Sequence, residues 1–529
     1  MGETNLGTIN TIRNGLATLN ECETQEMEGV NCGAGGHLDG LNELLNFTTT
    51  NQCLASQNDF EEAGITIPNC PGPNTDLSGL DNTHPTVGTF AIYTGENDSF
   101  IANLASSYLN SSSVGRFNLI LPKDHREMLK SRPELLNILN SSRVNIVEVD
   151  TMPSVGRWMQ DSFQFTSLNG KPAIYQLSHK YEAGTEFEHR LACDLARKCD
   201  IPYYVPSDLV ESGLEVESNL NGGGNLEVLP GGTFYTGTIQ SEGYPFNNPE
   251  GAELPYSSPN QDMRRKALEA SGNSVLDLDV SFLKVAHVDE IINIVKTNKA
   301  APCDYAVLMA SPRKAFELME AAAMERDGSG FRFNLTDILF PLLHAEEEQE
   351  SEVTVNRCTG HDYMDLYNEG AVEVIRDERV SEVYSKDCIN GEPIEEYVGS
   401  SEYEILKREN LSQTLPVNIS QIMEDNKAAL IIELQRTTAC QSPEIIEIPV
   451  FFRDGLSYTP DLVNGVVETS GTSPSSMLLP RSYFEPFDSY VSEQLQQVGV
   501  KSSFIHDMGY HLRNGEVHCG TNSARICNL

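Results

Sequence analysis

The residues best suited to chemistry lie far apart in the chain. Near the carboxyl end, FIHDMGYHLRNGEVHCGTNSARICNL sets Cys519 in His518-Cys519-Gly520-Thr521-Asn522. Glycine lets the backbone turn sharply or approach closely, and threonine and asparagine supply hydrogen bonds. Such a setting suits a catalytic thiolate, a buried structural thiol, a metal ligand or half of a disulfide. The single tryptophan, Trp158, stands three residues before Asp161. A ring beside a carboxylate shapes a pocket for a flat cation; the plainer reading is an interface tryptophan with an exposed aspartate. After the apolar run VSFLKVA come His287, Asp289 and Glu290. In a strand, residues two apart project to one side, so His287 and Asp289 can enter one pocket. That pair serves acid-base catalysis, structural polarity, or a metal fragment that lacks a third firm ligand.

The balance of the whole chain narrows the partners. With 36 Lys and Arg against 77 Asp and Glu, the 529 residues carry a net charge of -41. That field repels phosphate backbones and anionic lipid and attracts cations, including basic peptides and guanidinium compounds. No run approaches eighteen apolar residues, so neither nucleic acid nor a membrane is an expected partner. The start, MGETNLGTINTIRNGL, shows no basic region followed by an apolar core, which gives a cytoplasmic expectation. The 12 cysteines form no CxxC pair; their even number allows disulfides, and the four before residue 71 can cross-link a small segment. Asn46, Asn110, Asn140, Asn334, Asn410 and Asn418 each begin an Asn-x-Ser/Thr triplet, read without a leader as chance.

The elements that must position these groups alternate in type. Residues 1–84 are polar and turn-rich and read as an accessory or cap segment; from residue 85 to 529, strand and helix patterns recur. TFAIYTG, RFNLILP and VNIVEVD read as strands, with helices in IANLASSYL and in REMLKSRPELLNILN, interrupted near Pro133. FQFTSLNGKPAIYQL reads as two strands about an Asn-Gly turn. Gly222 to Gly224 read as a flexible loop able to approach a ligand, not a phosphate loop, because no Gly-Lys-Ser/Thr follows. HAEEEQESE, from His344, lacks helical-hand calcium spacing and reads as a solvated run. KSSFIHDM reads as the final strand. The class is α/β, without a Rossmann fingerprint or a repeat of fixed spacing.

Six motifs in order carry a resemblance: RWMQD at 157–161, NGGGNLEV at 221–228, AHVDE at 286–290, LMASPRKAFELM at 308–319, YTPDLVNGVV at 458–467 and YHLRNGEVHCGTN at 510–522. Together they resemble the catalytic domain of the protein-arginine deiminases. The resemblance implies a five-bladed α/β propeller, the pentein fold, that converts peptidyl arginine to peptidyl citrulline and ammonia. It implies Cys519 as nucleophile, His287 as general acid and base, Asp161 and Asp289 as guanidinium clamps, Trp158 lining the arginine tunnel and Arg513 helping to hold substrate. Arginine-containing peptides are the implied partners, no organic cofactor is implied, and Gln160 and Glu227 match one calcium shell of the family.

Two departures accompany the match. The acidic residues that normally follow the motif aspartate are replaced by Ser162-Phe163-Gln164, and YQLSHKYEAG lacks the arginine that grips the substrate backbone. Losing two carboxylates weakens an oxygen-ligand site for calcium. Free arginine, agmatine or methylated arginine is therefore an alternative substrate, and a noncatalytic module for basic peptides is a further alternative.

Overall fold

The structure is a computed structural model that describes residues 53–70, 77–111, 113–149, 156–168, 171–175, 187–204, 223–239, 265–266, 268–269, 272–328, 388–389, 392–412, 418–470 and 474–528. The acidic run from His344 and most of YQLSHKYEAG lie outside them.

One hydrogen-bonding pattern occurs five times: a strand pairs antiparallel with the next, the chain crosses over, and a third strand pairs parallel with the second. Strand β1 (Leu77–Ser78) joins the edge of one such unit and is followed by β2 (Thr86–Ile92), β3 (Arg116–Pro122) and β4 (Val144–Val149). The unit that β1 borders contains β5 (Gln164–Leu168), β6 (Lys171–Tyr175) and β7 (Tyr203–Tyr204), with helix Phe187–Cys199 in the crossover. The next contains β8 (Glu227–Val228), β9 (Phe234–Thr238) and β10 (Val275–Asp279). In the third, β11 (Ile292–Lys296) pairs with β12 (Tyr305–Ser311), helix Pro312–Gly328 follows, and after a two-stranded ribbon of β13 (Cys388–Ile389) and β14 (Glu392–Pro393) the parallel partner is β15 (Glu444–Pro449).

A second ribbon, β16 (Phe452–Arg453) with β17 (Leu456–Ser457), leads to the fourth unit of β18 (Val466–Glu468), β19 (Ser476–Pro480) and β20 (Lys501–Ile505) around helix Glu485–Gln497. The fifth is assembled from both ends of the described chain. β21 (Thr521–Arg525) pairs antiparallel with β2, which pairs parallel with β3 after helix Asp98–Asn110, and β4 extends the sheet. Among the described residues there are thus five sheets of three or four strands, in an α/β arrangement.

The pattern follows from the residues. All seven positions of β2 and of β12 are buried, giving near-continuous apolar runs in place of polar alternation, as expected of strands covered on both faces. Pro133 at the start of helix Pro133–Leu139 cannot continue the preceding helix, Arg126–Lys130, and the interruption falls at Ser131 and Arg132. Two expectations need correction. VSFLKVA is a run of turns after β10, with Ala286 at φ 63, and no strand. The strand over Lys501–Ile505 is followed by another, β21, whose sequence TNSAR is too polar to signal a buried strand.

The described residues 53–70, ahead of residue 85, are tied into the body. Ala55 donates to Val87 O at 2.8 Å, and Cys70 donates to Asn528 O at 2.7 Å. Cys53 is bonded to Cys199 and Cys70 to Cys527, so neither bridges within the first 84 residues; Cys303 is bonded to Cys440. Cys22 and Cys32 lie outside the described residues. No helix among the described residues is long and apolar enough to cross a membrane.

Candidate active site

Each of the five units begins with a turn, and the five turns meet. They are Met159–Ser162 before β5, Gly223–Asn225 before β8, Val288–Glu290 before β11, Asp461–Asn464 before β18, and Glu516–Gly520 before β21. Asn464 Oδ1 accepts from the Cys519 amide at 3.2 Å, and Asn464 O accepts from the His518 amide at 3.0 Å. The Gln160 amide donates to Cys519 O at 3.1 Å. Asn225 Oδ1 accepts from the amides of Gly237 and Val288, which fixes the third turn against β9.

Gly223 and Gly224 sit where a Cβ has no room unless its neighbours move. A Cβ on Gly223 would lie 1.8 Å from Gln160 O, and one on Gly224 would lie 2.7 Å from His287 Nδ1 and 2.8 Å from Asp289 Oδ2. The stretch expected as a flexible loop is, over Gly223–Asn225, a buried 3-10 turn pressed against two polar side chains.

The structure brings Cys519, Asp289, His287 and Asp161 together. Cys519 Sγ lies 3.9 Å from Asp289 Oδ2, and His287 Nδ1 lies 3.8 Å from Asp161 Oδ1. His287 and Asp289 converge through a 3-10 turn, with His287 as its extended N-cap, and not through strand alternation. Cys519, His287 and Asp289 are buried, whereas the Asp161 side chain keeps 28% of its exposure. Asp161 is thus the more exposed of the two carboxylates.

Burial, Asp289 and Asp161 together push the Cys519 thiol well above its ordinary range. Burial also raises Asp161, against the pull of His287. These surroundings therefore disfavour a thiolate, and a cation placed between the sulfur and the carboxylates would act in the opposite direction.

Trp158 packs against Gly515, next to the turn that carries Cys519. Its ring meets the Tyr510 ring edge-on at 5.5 Å, and a Cβ on Gly515 would come within 2.5 Å of it. Arg513 is placed differently: its Nη1 donates to Gly509 O at 2.9 Å and its Nη2 lies 4.0 Å from Glu96 Oε2. Arg157 shares both partners, at 3.2 Å and 3.9 Å.

His518, which precedes Cys519 in the sequence with no role apparent there, is also a site residue. Its Nδ1 donates to Asp289 Oδ2 at 2.7 Å and its Nε2 lies 3.6 Å from Glu227 Oε1. Burial acts to lower its pKa, but the bond to Asp289 and the charge of Glu227 outweigh that and raise it. The available signal was adjacency: a histidine one residue before a thiol, beside an acidic pocket, has a partner within reach. Asn464 and Asn225 carried no signal of their own.

The residues matched to a calcium shell form another kind of site. Gln160 Nε2 donates to Gln164 Oε1 and to Glu227 Oε1, both at 3.1 Å, and the neighbouring cavity of ≈ 20 Å³ is also lined by His518 and Arg525. Burial raises Glu227 to about 7. Calcium takes six to eight oxygen ligands, most often from carboxylates. Among the described residues this set offers one carboxylate, already hydrogen-bonded by an amide and faced by an imidazole and a guanidinium, which is a poor match to that demand.

A family profile described as protein-arginine deiminase (PAD) matches residues 123–385 and 395–528. Protein-arginine deiminase type-3 of Rattus norvegicus is 23% identical over 387 residues, covering 70% of this chain and 46% of that protein. Protein-arginine deiminase type-4 of Homo sapiens is 22% identical over 321 residues, covering 58% of this chain and 38% of that protein. The chain thus spans less than half the length of these two relatives. Among solved structures, the agmatine deiminase of Enterococcus faecalis aligns with a TM-score of 0.45 at 11% identity, covering 85% of this chain and 96% of that one. The agmatine deiminase of C. jejuni aligns with a TM-score of 0.42 at 11% identity, covering 86% and 97%.

Proposed function

Because the chain belongs to the protein-arginine deiminase family, we propose that it hydrolyses the guanidinium group of arginine held in peptides, giving peptidyl citrulline and ammonia. In this reading the five strand units are the five blades of a pentein propeller, and the lead-in turns form its central site.

The observation that carries the proposal is the free thiol of Cys519, 3.9 Å from Asp289 and flanked by a second carboxylate on Asp161. A planar guanidinium offers paired N-H donors to Asp161 and Asp289, which turns its carbon toward the sulfur. The same cation favours the thiolate: opposite charges about 4 Å apart at an effective dielectric near 20 attract by about 4 kcal/mol.

Cys519 Sγ adds to the guanidinium carbon and forms a tetrahedral adduct. His287 delivers a proton to the departing nitrogen as the C-N bond breaks, and ammonia leaves a thiouronium on sulfur. His287 then takes a proton from water, whose oxygen adds to the same carbon; the C-S bond breaks and the urea group of citrulline remains. Gln160, Gln164, Glu227 and His518 hold one another by hydrogen bonds and short contacts, which supports a site that forms without calcium.

The test is product formation from a blocked arginine peptide, free arginine and agmatine, with calcium and with chelator. Citrulline from the peptide under both conditions, abolished by Cys519→Ala in a folded protein, is expected. No product from any guanidine overturns the proposal. A second reading is favoured by the absent backbone-gripping arginine in YQLSHKYEAG: turnover of the small guanidines with none of the peptide would select it.

A further inference from the structure

Three cystines and a set of acceptor triplets point to a property that the reaction does not use. Cys53–Cys199, Cys70–Cys527 and Cys303–Cys440 join residues 146, 457 and 137 apart in sequence, with Cα separations of 5.2, 4.8 and 5.2 Å. Cα atoms this close suit a disulfide. Among the cysteines whose side chains the structure describes, six are paired and Cys519 is free, so the pairing spares the nucleophile. Stable cystines form in oxidising compartments, and mesophilic cytosol keeps such thiols reduced. With oxidative folding as context, the Asn-x-Ser/Thr triplets cease to be idle.

The triplets differ in what the fold leaves accessible. Asn110-Ser-Ser ends helix Asp98–Asn110 and Asn140-Ser-Ser follows helix Pro133–Leu139; both asparagines are exposed, on helices packed against each other. Asn410 is fully buried, donating to Leu406 O and Phe452 O and accepting from the Phe452 amide. The first turn of helix Asp98–Asn110 lies by Tyr510, where Phe100 stacks on that ring at 3.9 Å. At 1.5 Å per residue, its far end is about 18 Å further along the axis, away from the thiol.

We propose that this chain folds in an oxidising compartment and carries N-linked oligosaccharide on Asn110 and Asn140, while Asn410 stays bare. Each cystine forms as two thiols give two electrons and two protons to a disulfide-bearing oxidoreductase, which leaves as a dithiol. At each modified asparagine the amide nitrogen bonds to the anomeric carbon of a lipid pyrophosphate-linked oligosaccharide. The anomeric C-O bond breaks, and the amide proton leaves with the lipid pyrophosphate. The outcome is independent of which guanidine the site accepts.

The experiment uses the full chain purified from the cells that make it. It is alkylated in denaturant without reductant, treated with peptide N-glycosidase in heavy-oxygen water, digested and mapped by mass spectrometry. The expected map shows Cys519 alkylated, the six paired cysteines protected and linked in the three stated pairs, heavy-oxygen aspartate at 110 and 140, and unlabelled asparagine at 410. Alkylation of the six without reductant overturns the oxidative folding. An unlabelled Asn110 or Asn140 overturns the assignment of that residue, and label at Asn410 overturns the argument from accessibility. As a second readout, the double variant Asn110→Gln, Asn140→Gln should run smaller by two oligosaccharides while keeping its activity and melting temperature; unchanged mobility overturns the proposal.

Discussion

Replacing Gly224 by alanine adds one methyl group at the point where the lead-in turns press together. Its carbon would stand 2.7 Å from His287 Nδ1 and 2.8 Å from Asp289 Oδ2. Ordinary contact begins near 3.4 Å, so the imidazole must retreat by about 0.7 Å and the carboxylate by about 0.6 Å in an interior with little free volume. Gly224 does not occupy the left-handed backbone region, so the cost is one of packing. Overpacking of this kind costs about 1–3 kcal/mol of stability. The retreat also moves both groups relative to Cys519, and misplacement on the order of 1 Å lowers rates by about a hundredfold. The expected result is a folded variant whose kcat on a blocked arginine peptide falls roughly ten- to a hundredfold, with slower labelling of Cys519 by an amidine electrophile. A variant with kcat within about twofold of the parent would refute the reasoning, since the added atom would then have been absorbed without disturbing either side chain.

Four further perturbations test other parts of the structure. His518→Gln removes a charge-assisted bond to Asp289 and should lower stability by about 1.5–3 kcal/mol and kcat by more than KM rises. Because the folded pKa of His518 is raised, its stabilisation is complete below about pH 6.5 and is lost as pH climbs through the folded value. Paired denaturant titrations of parent and variant should therefore converge at high pH. Glu516, raised by burial from 4.5 to about 8, binds its proton more tightly folded than unfolded; its contribution is complete below pH 4.5 and lost through pH 8, so Glu516→Gln should melt higher than the parent only on the alkaline side. Cys70→Ser opens the largest covalent loop and should cost about 2–4 kcal/mol in denaturant unfolding; no change would mean that the cystine is absent in solution. Melting temperatures in calcium and in chelator should coincide, and an upward shift with calcium would show that the Gln160 and Glu227 region binds the ion.

What the sequence conceals here is mostly pairing. β2, β12 and β19 are apolar enough to be read as buried strands, and the Asn-Gly pair in the sequence signals the antiparallel pairing of β5 with β6. The unit they belong to does not, because its identity lies in hydrogen-bond direction and not in repeated residues. His287 and Asp289 were legible as a converging pair, but the geometric reason differs: the chain turns at Ala286, where a positive φ breaks the strand that the apolar run suggested. Gly223 and Gly224 were visible as an anomaly, and composition alone cannot separate a loop that moves from one that must fit. Cysteine partners are invisible for a similar reason, since Cys70 and Cys527 become neighbours only when the fifth sheet closes. Polar β21 is buried through its position, with Arg525 giving four hydrogen bonds, to His84 O, Thr86 Oγ1, Asn82 Oδ1 and Val467 O.

The register Thr86↔Arg525 sets an order of events during synthesis. A nascent chain displays the open edge of β2 to everything around it until residues 521–525 have left the ribosome, and an open strand edge invites foreign pairing. Closing over so long a span makes assembly slow. It also means that no nascent fragment ending before that strand holds its thiol in place: reactivity arrives only once both partners of this pairing exist, when the surrounding sheets can confine it.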